Sequence, residues 1–430
     1  MPKGTKAIIL GLLGAVALSG TASAGGFGRG TADTDILFED GGFVMRSGVT
    51  YVAPQRGYET ITSPLLGGTV TSTDDDYSDP YWVPSLGVKF GITDDLSCAG
   101  TYTEVYGAGA TYGDMAVTAG LADGTGTASK QFTSREIGGT CGYKFDLAKG
   151  RAWVIGGVFG EDFKYSETVR LADNDSLSGG GVVDPHPFFY LGLGGDFAGE
   201  HSGTLSFNGE YELGYRVGLA YEIPEIALRA QLMYRSAVRH DPSGSFDFYE
   251  TLTGNDLVAF DTLGHGMTPQ SVELKVQSGI APGWLAFGSV KWTDWSVVQT
   301  LDYTIDTSAT PIMDVINTNL EYFWRDGWTV SGGVGHAFND MLSGSVSLTW
   351  DKGVSTTEDT FTDTWTLGGG IAVASNENTQ LRIGGAVSYL TSGSVIAEGT
   401  GATPNEGDTF AYTVGNDWSY AIGGNLKINF

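Results

Sequence analysis

Along most of the chain, apolar and polar residues alternate with a period of two over runs of about ten residues. In the last run Trp418, Tyr420, Ile422, Leu426, Ile428 and Phe430 share one face. Ser419, Ala421, Gly423, Asn425, Lys427 and Asn429 share the other. The same pattern recurs in Leu213-Tyr215-Val217-Leu219-Tyr221, in Leu228-Ala230-Leu232-Tyr234 and in Leu381-Ile383-Gly385-Val387-Tyr389. Successive side chains of a β-strand point to opposite faces, so each run predicts a strand with one apolar face. A soluble β-sandwich would show the same alternation, and loop lengths separate the two.

The pattern predicts strands over 43–53, 81–91, 95–107, 131–146, 150–165, 210–222, 226–240, 270–280, 284–302, 328–338, 342–351, 361–374, 380–390 and 417–430. Short connections carry turn residues, as at Thr93-Asp94, Pro224-Glu225, Pro282-Gly283 and Asn339-Asp340. Long connections fall between them. Short inner turns alternating with long outer loops mark a transmembrane antiparallel β-barrel, and an even strand count returns both ends to the inner side. The predicted fold is therefore an all-β barrel of about 14 strands over 43–430. Trp and Tyr gather near strand ends, at Tyr81-Trp82, Trp284, Trp292, Trp295, Trp328 and Trp418, as interfacial girdles would.

Composition narrows this further. Lys3 and Lys6 precede an apolar run, Ala7 to Leu18, and then the small residues Ala22-Ser23-Ala24. That layout predicts a secretory signal peptide over 1–24. Nothing after it is an 18-residue apolar run, so helical membrane spans are not expected. A mean hydropathy of -0.05 suits strands with one polar, lumen-facing side. The net charge of -27 argues against phosphate-backbone binding and so against a nucleic-acid partner. Five scattered histidines and the lack of a G-x-S-x-G elbow argue against an enzyme, a metal centre or a cofactor. The acids at 74–76 are read as solvated. Cys98 and Cys141 lie on consecutive predicted strands, symmetric about the loop between them. A hairpin in simple register would pair them as a disulfide; the alternative is two free thiols.

Several stretches resemble the FadL-type outer-membrane transporters of long-chain fatty acids and other hydrophobic compounds. Gly214 to Glu222 (GYRVGLAYE) followed by Ala230 to Ser236 (AQLMYRS) resembles the family's strand-turn-strand ending in Tyr-Arg-Ser. Met267 to Gln270 (MTPQ) and Trp284 to Ser296 (WLAFGSVKWTDWS) resemble family strands in order and spacing, over about 200–430. Gly26 to Gly30 (GFGRG) resembles the family's N-terminal Gly-Leu-Gly-Arg stretch, but the Asn-Pro-Ala motif that follows there is missing. The resemblance implies a monomeric barrel in the Gram-negative outer membrane, surrounded by lipid and lipopolysaccharide. It implies a plug, here shortened to 25–42, and passive transport, with ligand caught at outer loops and released through the wall or lumen. The C-terminal Phe430 is the expected handle for barrel-assembly machinery. A general porin or a structural or adhesive barrel is the alternative.

A fatty acid needs an apolar pocket and a cation. Arg229, Gln231, Met233, Arg235 and Arg239 share the polar face of one predicted strand, and Arg216 joins them across the Pro224 turn. Arg216, Arg229 or Arg235 is the expected carboxylate contact; the alternative is pairing with lumen acids such as Glu222. In the long loop read over 166–209, Phe188, Phe189 and Leu191 are candidates for a landing groove, and Phe27 and Phe38 of the plug for the pocket. Self-packing is the alternative for each.

Overall fold

The computed structural model describes residues 25–74, 76–123, 125–171, 201–250, 253–308, 315–396 and 410–430. The predicted signal peptide and the Phe188, Phe189 and Leu191 cluster lie outside them. Fourteen strands form the wall. They are β1 (Phe43–Gln55), β2 (Tyr81–Gly91), β3 (Leu96–Thr111), β4 (Thr125–Leu147), β5 (Gly150–Leu171) and β6 (His201–Ile223). β7 comes in three pieces, Leu228–Arg235, Val238–His240 and Ser243–Glu250. β8 (Asp256–Thr268 and Ser271–Ala281), β9 (Trp284–Thr293 and Thr300–Asp306) and β10 (Val315–Glu321 and Gly327–Ala337) come in two. β11 (Leu342–Asp351), β12 (Thr364–Asn376), β13 (Thr379–Leu390) and β14 (Asp417–Asn429) complete the set. Each pairs antiparallel with the next, and β14 closes on β1 from Val44↔Asn429 to Gln55↔Trp418. Closure leaves no open edge, which is what a strand structure in hydrocarbon requires.

The wall shows its apolar face outward. Leu86, Val158, Leu213, Leu219, Leu348, Leu367, Ile383 and Ile422 are all exposed. Rings bound this band, but Trp295, expected among them, is buried inside the barrel against Tyr106 and Trp324 because the chain turns inward after Thr293. Above the band the register sets Tyr51 beside Trp82, Trp292 beside Trp328, Trp350 beside Trp365 and Tyr389 beside Trp418. Below it Phe43 packs on Phe90 and Phe430, and Trp284 on His336. Such a surface is stable only against lipid, with the rings at the two headgroup levels.

Above the upper rings the sheet continues outward where the alternation alone predicted loop. β4, β5 and β6 run for 22 or 23 residues each. The pieces Ser243–Glu250, Asp256–Thr268 and Val315–Glu321 belong to this extension. They were hidden because strand breaks interrupt the period: a single added or dropped residue reverses every later side chain. A second sheet, from 58–63, 68–71, 393–395 and 411–414, roofs one side.

Cys98 and Cys141 are register partners and form a disulfide, as their spacing predicts. Both fall on the outward face of β3 and β4, the face that carries Ile137 and Tyr143.

Candidate functional site

Residues 25–42 lie inside the barrel. A short 3-10 turn, Thr34–Phe38, presents Ile36, Leu37 and Phe38 to the inward-facing Val44, Ala99, Trp153, Ile155 and Ala220. Ion pairs hold the rest. Asp33 accepts from Arg46 at 2.9 Å, Asp35 lies 3.5 Å from Lys275, and Glu39 pairs with Arg46 and Lys427. Upstream, the chain runs as an extra strand along β3. The β2–β3 ladder stops at Ser85↔Thr103. Beyond it Arg29 N donates to Val105 O (3.0 Å), Gly30 N to Glu104 O (2.9 Å) and Gly107 N to Phe27 O (2.8 Å). A Cβ at Gly30 would lie 2.4 Å from Thr103 Oγ1, so only glycine lets the segment seat there.

This seating aims Phe27 upward. Its ring lies 4.6 Å from Trp324, 5.2 Å from Phe132 and 5.7 Å from both Tyr322 and Phe361. Above it opens a cavity of about 610 Å³. Phe27, Phe132, Tyr165, Tyr322, Phe361 and Phe410 line it, with Tyr58, Tyr77, Tyr112 and Tyr412 toward the roof. Those tyrosines pack on one another, Tyr58–Tyr77 at 4.7 Å and Tyr58–Tyr412 at 4.8 Å. Burial raises the hydroxyl pKa of Tyr58, Tyr77 and Tyr112, so these rings stay neutral. The cavity thus has an apolar body with a few neutral polar groups, a composition typical of ligand pockets.

Charged groups interrupt it, among them Arg29, Arg56, Asp79, Lys130 and Asp359. The Lys130 ammonium, partly exposed, is 3.3 Å from Glu167, which also accepts from Tyr165 and Thr127. On the β11–β12 loop, burial pushes Asp359 up to about 7, while the hydrogen bond from Trp324 Nε1 (2.6 Å) partly offsets the shift. In the unfolded chain this carboxyl titrates at the ordinary value of 3.8. The folded loop therefore binds the extra proton between about pH 4 and 7, and its stability falls as pH rises through that window. Trp324 fluorescence is expected to titrate with a midpoint near 7. An unchanged titration in Asp359→Asn would show that the signal comes from elsewhere.

Beneath the Phe27 segment is a smaller, polar chamber of about 80 Å³, lined by Arg29, Glu136, Arg216, Arg235, Lys275 and Lys291 among others. Arg216 pairs with Glu136, and Arg235 with both Glu136 and Glu161. Glu161 also lies 3.2 Å from His240 Nε2. Arg229 lies over the Phe38 ring at 4.3 Å. Of the predicted candidates, then, Phe27 lines the large cavity. Arg216 and Arg235 line the chamber below it, already paired, and Arg229 and Phe38 sit in the packed floor. Glu222, the acid named as their alternative partner, instead accepts from Trp153 Nε1 at 2.8 Å. Arg239 departs from the predicted ladder: the break at 236–237 reverses the alternation, so Arg239 points outward to Asp241 while His240 turns in. Lys130, Trp324 and Asp359 were not anticipated; none stands in a run whose period marks the lumen. Among the described residues no group of acids, histidines or cysteines could hold a metal ion.

No family model matches the chain. It is 24% identical over 440 residues to the long-chain fatty acid transport protein of Escherichia coli K12, covering 93% of each. It is 24% identical over 433 residues to the protein of that name from Salmonella typhi, covering 93% of this chain and 92% of the other. Its fold superposes on a Pseudomonas aeruginosa FadL homologue with a TM-score of 0.72 at 12% identity, covering 96% of this chain and 98% of that one. The Ralstonia pickettii toluene transporter TbuX superposes with a TM-score of 0.63 at 13% identity, over 96% and 97% of the two chains. The resemblance seen in a few strands thus extends over nearly the whole length.

Proposed function

We propose that this outer-membrane β-barrel passively carries long-chain fatty acids or similar hydrophobic compounds, taking them from its outer side into the aromatic cavity above Phe27. That cavity is the observation that carries the reading. It is large and apolar, and it is closed below by a segment that the barrel wall holds through ion pairs and backbone hydrogen bonds. An apolar chain gains about 0.8 kcal/mol per CH₂ on leaving water, so such a cavity draws hydrophobic ligands in without an energy source. The relatives named for fatty acid and toluene transport support the same reading. A porin would need an open polar path, and residues 25–42 stand across it.

Oleate should bind the purified barrel and quench its tryptophan fluorescence, whereas a polar sugar should not. No binding of either oleate or naphthalene would sink the proposal. For an acidic ligand we assign the carboxylate to Lys130, which is more exposed than the other cavity cations, Arg29 and Arg56, both buried beside Glu104 and Asp417. Lys130→Gln is expected to weaken oleate binding about tenfold, the value of one charge-assisted hydrogen bond, and to leave naphthalene binding unchanged. Equal loss for both ligands would instead mean that the cavity had collapsed.

A further inference from the structure

The leader predicted over 1–24 ends at Ala22-Ser23-Ala24, so its removal would free the α-nitrogen of Gly25. Gly25 is not at the surface. It is buried and lines the polar chamber together with Lys291, Thr329 and Asp351. The turn that holds it is tight. Gly28 N donates to Gly25 O at 3.3 Å, and Gly26 has a left-handed φ of 56°. A Cβ on Gly26 would lie 2.8 Å from both the Trp295 and the Trp324 ring. A Cβ on Gly25 would lie 2.8 Å from Asp351 Oδ1. The α-nitrogen is bonded to the same carbon, so bond lengths alone place it within about 5 Å of that oxygen.

Asp351 is the last residue of β11 and is only 1% exposed. Its Oδ2 accepts a hydrogen bond from Thr329 Oγ1 at 2.9 Å. A carboxylate held out of water at this depth is costly, and acids in such places are retained where a cation faces them. Lys291 stands in the same row of the wall, but one strand further on. The register runs Glu273↔Lys291, Lys291↔Thr329 and Thr329↔Asp351. Two strand spacings, about 10 Å, therefore separate the backbones of Lys291 and Asp351, and Glu273 is the cross-strand neighbour of Lys291. Gly25 approaches Asp351 from the lumen side, on the plug itself. An α-amino group is protonated at neutral pH, whereas the amide nitrogen of an uncleaved chain carries no charge.

We infer that cleavage of the Ala24–Gly25 bond is the step that seats the plug: the α-ammonium it creates on Gly25 pairs with Asp351 inside the barrel. This holds whatever compound the barrel carries. The step needs a signal-peptidase-type hydrolase and one water. The water hydroxyl adds to the Ala24 carbonyl carbon, the bond from that carbon to the Gly25 nitrogen breaks, and the new acid ionises. The nitrogen takes up both protons and becomes an ammonium. Cleavage precedes seating, because Gly25 is enclosed beneath the Phe27 segment once the barrel has formed. Glycine suits both events. It belongs to the small-residue surroundings of the cleavage site, and it leaves no Cβ between the chain end and the carboxylate.

The mass of the chain recovered from outer membranes comes first: it should correspond to a start at Gly25, and any other start would overturn the inference. The charge is then moved. Barrels are refolded in detergent from chains that begin at Gly25 or at Ala24, since one added residue shifts the ammonium by about 3.8 Å of chain. Each is made with Asp351 and with Asp351→Asn, which keeps the shape and removes the charge. Gel mobility before and after heating confirms folding, and seating is read as the frequency of openings in planar bilayers. The three altered barrels should open at least fivefold more often than the Gly25 chain with Asp351. They should also match one another, because either change alone breaks the pair. If Asp351→Asn does not fold, the Gly25 and Ala24 chains decide by themselves. An Ala24 chain as silent as the Gly25 chain would overturn the pairing, and so would two changes whose effects multiply.

Discussion

Deleting residues 25–40 should turn a silent barrel into a conducting one that prefers anions. In planar bilayers the intact protein is expected to show no steady conductance, because the segment fills the lumen between the large cavity and the polar chamber. Deletion removes the ring cluster around Phe27 and the packed turn of Ile36, Leu37 and Phe38. It also removes Asp33, Asp35 and Glu39, and so strips Arg46 and Lys427 of their carboxylate partners and leaves Lys275 with Glu273 alone. These three cations, joined by Lys89 and Lys291 on the same inner surface, would line the opened path. The chain carries a net charge of -27, so selectivity set by total charge would favour cations; selectivity set by the lining favours chloride. A reversal potential favouring potassium would rule out this account of the lumen. The absence of any conductance would rule out the segment as a plug. Two milder variants separate the contributions. Phe27→Ala should widen the cavity floor without opening the pore, whereas Arg46→Leu should loosen the segment by removing the ion-pair partner of Asp33 and leaving Glu39 with Lys427 alone.

The second large effect is expected at Arg235. Its guanidinium contacts Glu136 and Glu161 and lies over the Phe159 ring at 4.3 Å. Arg235 Nη1 also reaches Tyr106 Oη and Pro269 O, at 3.3 and 3.4 Å. It therefore ties β4, β5 and β3 to the break in β8, where paired strands are fewest. Arg235→Leu leaves two buried carboxylates with only Arg216 and His240 beside them. Removing one partner of a buried ion pair costs about 3–5 kcal/mol, because the remaining charge stays desolvated. The unfolding midpoint in urea, followed by the gel shift of the heat-unfolded barrel, should fall accordingly. Arg235→Leu combined with Glu161→Gln should recover much of the loss. If the single variant is as stable as the parent, the network contributes no stability. If the double variant is no better than the single one, the loss comes from ring and backbone contacts instead.

The strand pattern and the site differ in how far they could be read in one dimension. In β12 to β14, every second residue faces lipid, so the period survives along the whole span, and boundaries fall within a few residues of those predicted. The outer extension of β4 to β10 escaped because its rings, Phe246, Phe248, Phe260 and Tyr303, face inward across an apolar interior. The interruptions at 236–237 and 269–270 reverse the phase between pieces. Arg239 was misplaced for that reason alone. Cys98 and Cys141 were legible because hairpin register is arithmetic once the strands are known.

By itself the sequence determined the barrel, its even strand number, its lipid-facing bands and the facing positions of Cys98 and Cys141. Each of these follows from local alternation, turn chemistry or spacing between neighbours in the chain. Only the tertiary structure decided which inward residues share a chamber. Phe27 meets Phe132, Trp324 and Phe361, which lie more than 100 residues away in sequence, and Lys130 and Asp359 come to one cavity from β4 and the β11–β12 loop. Closing a sheet of 14 strands brings distant strands face to face across the lumen, and no local period records which faces meet. The arginines show the division clearly. Their polar face was evident from the alternation of β6 and β7, but their partners Glu136 and Glu161 stand on β4 and β5, a choice made by the curvature of the wall.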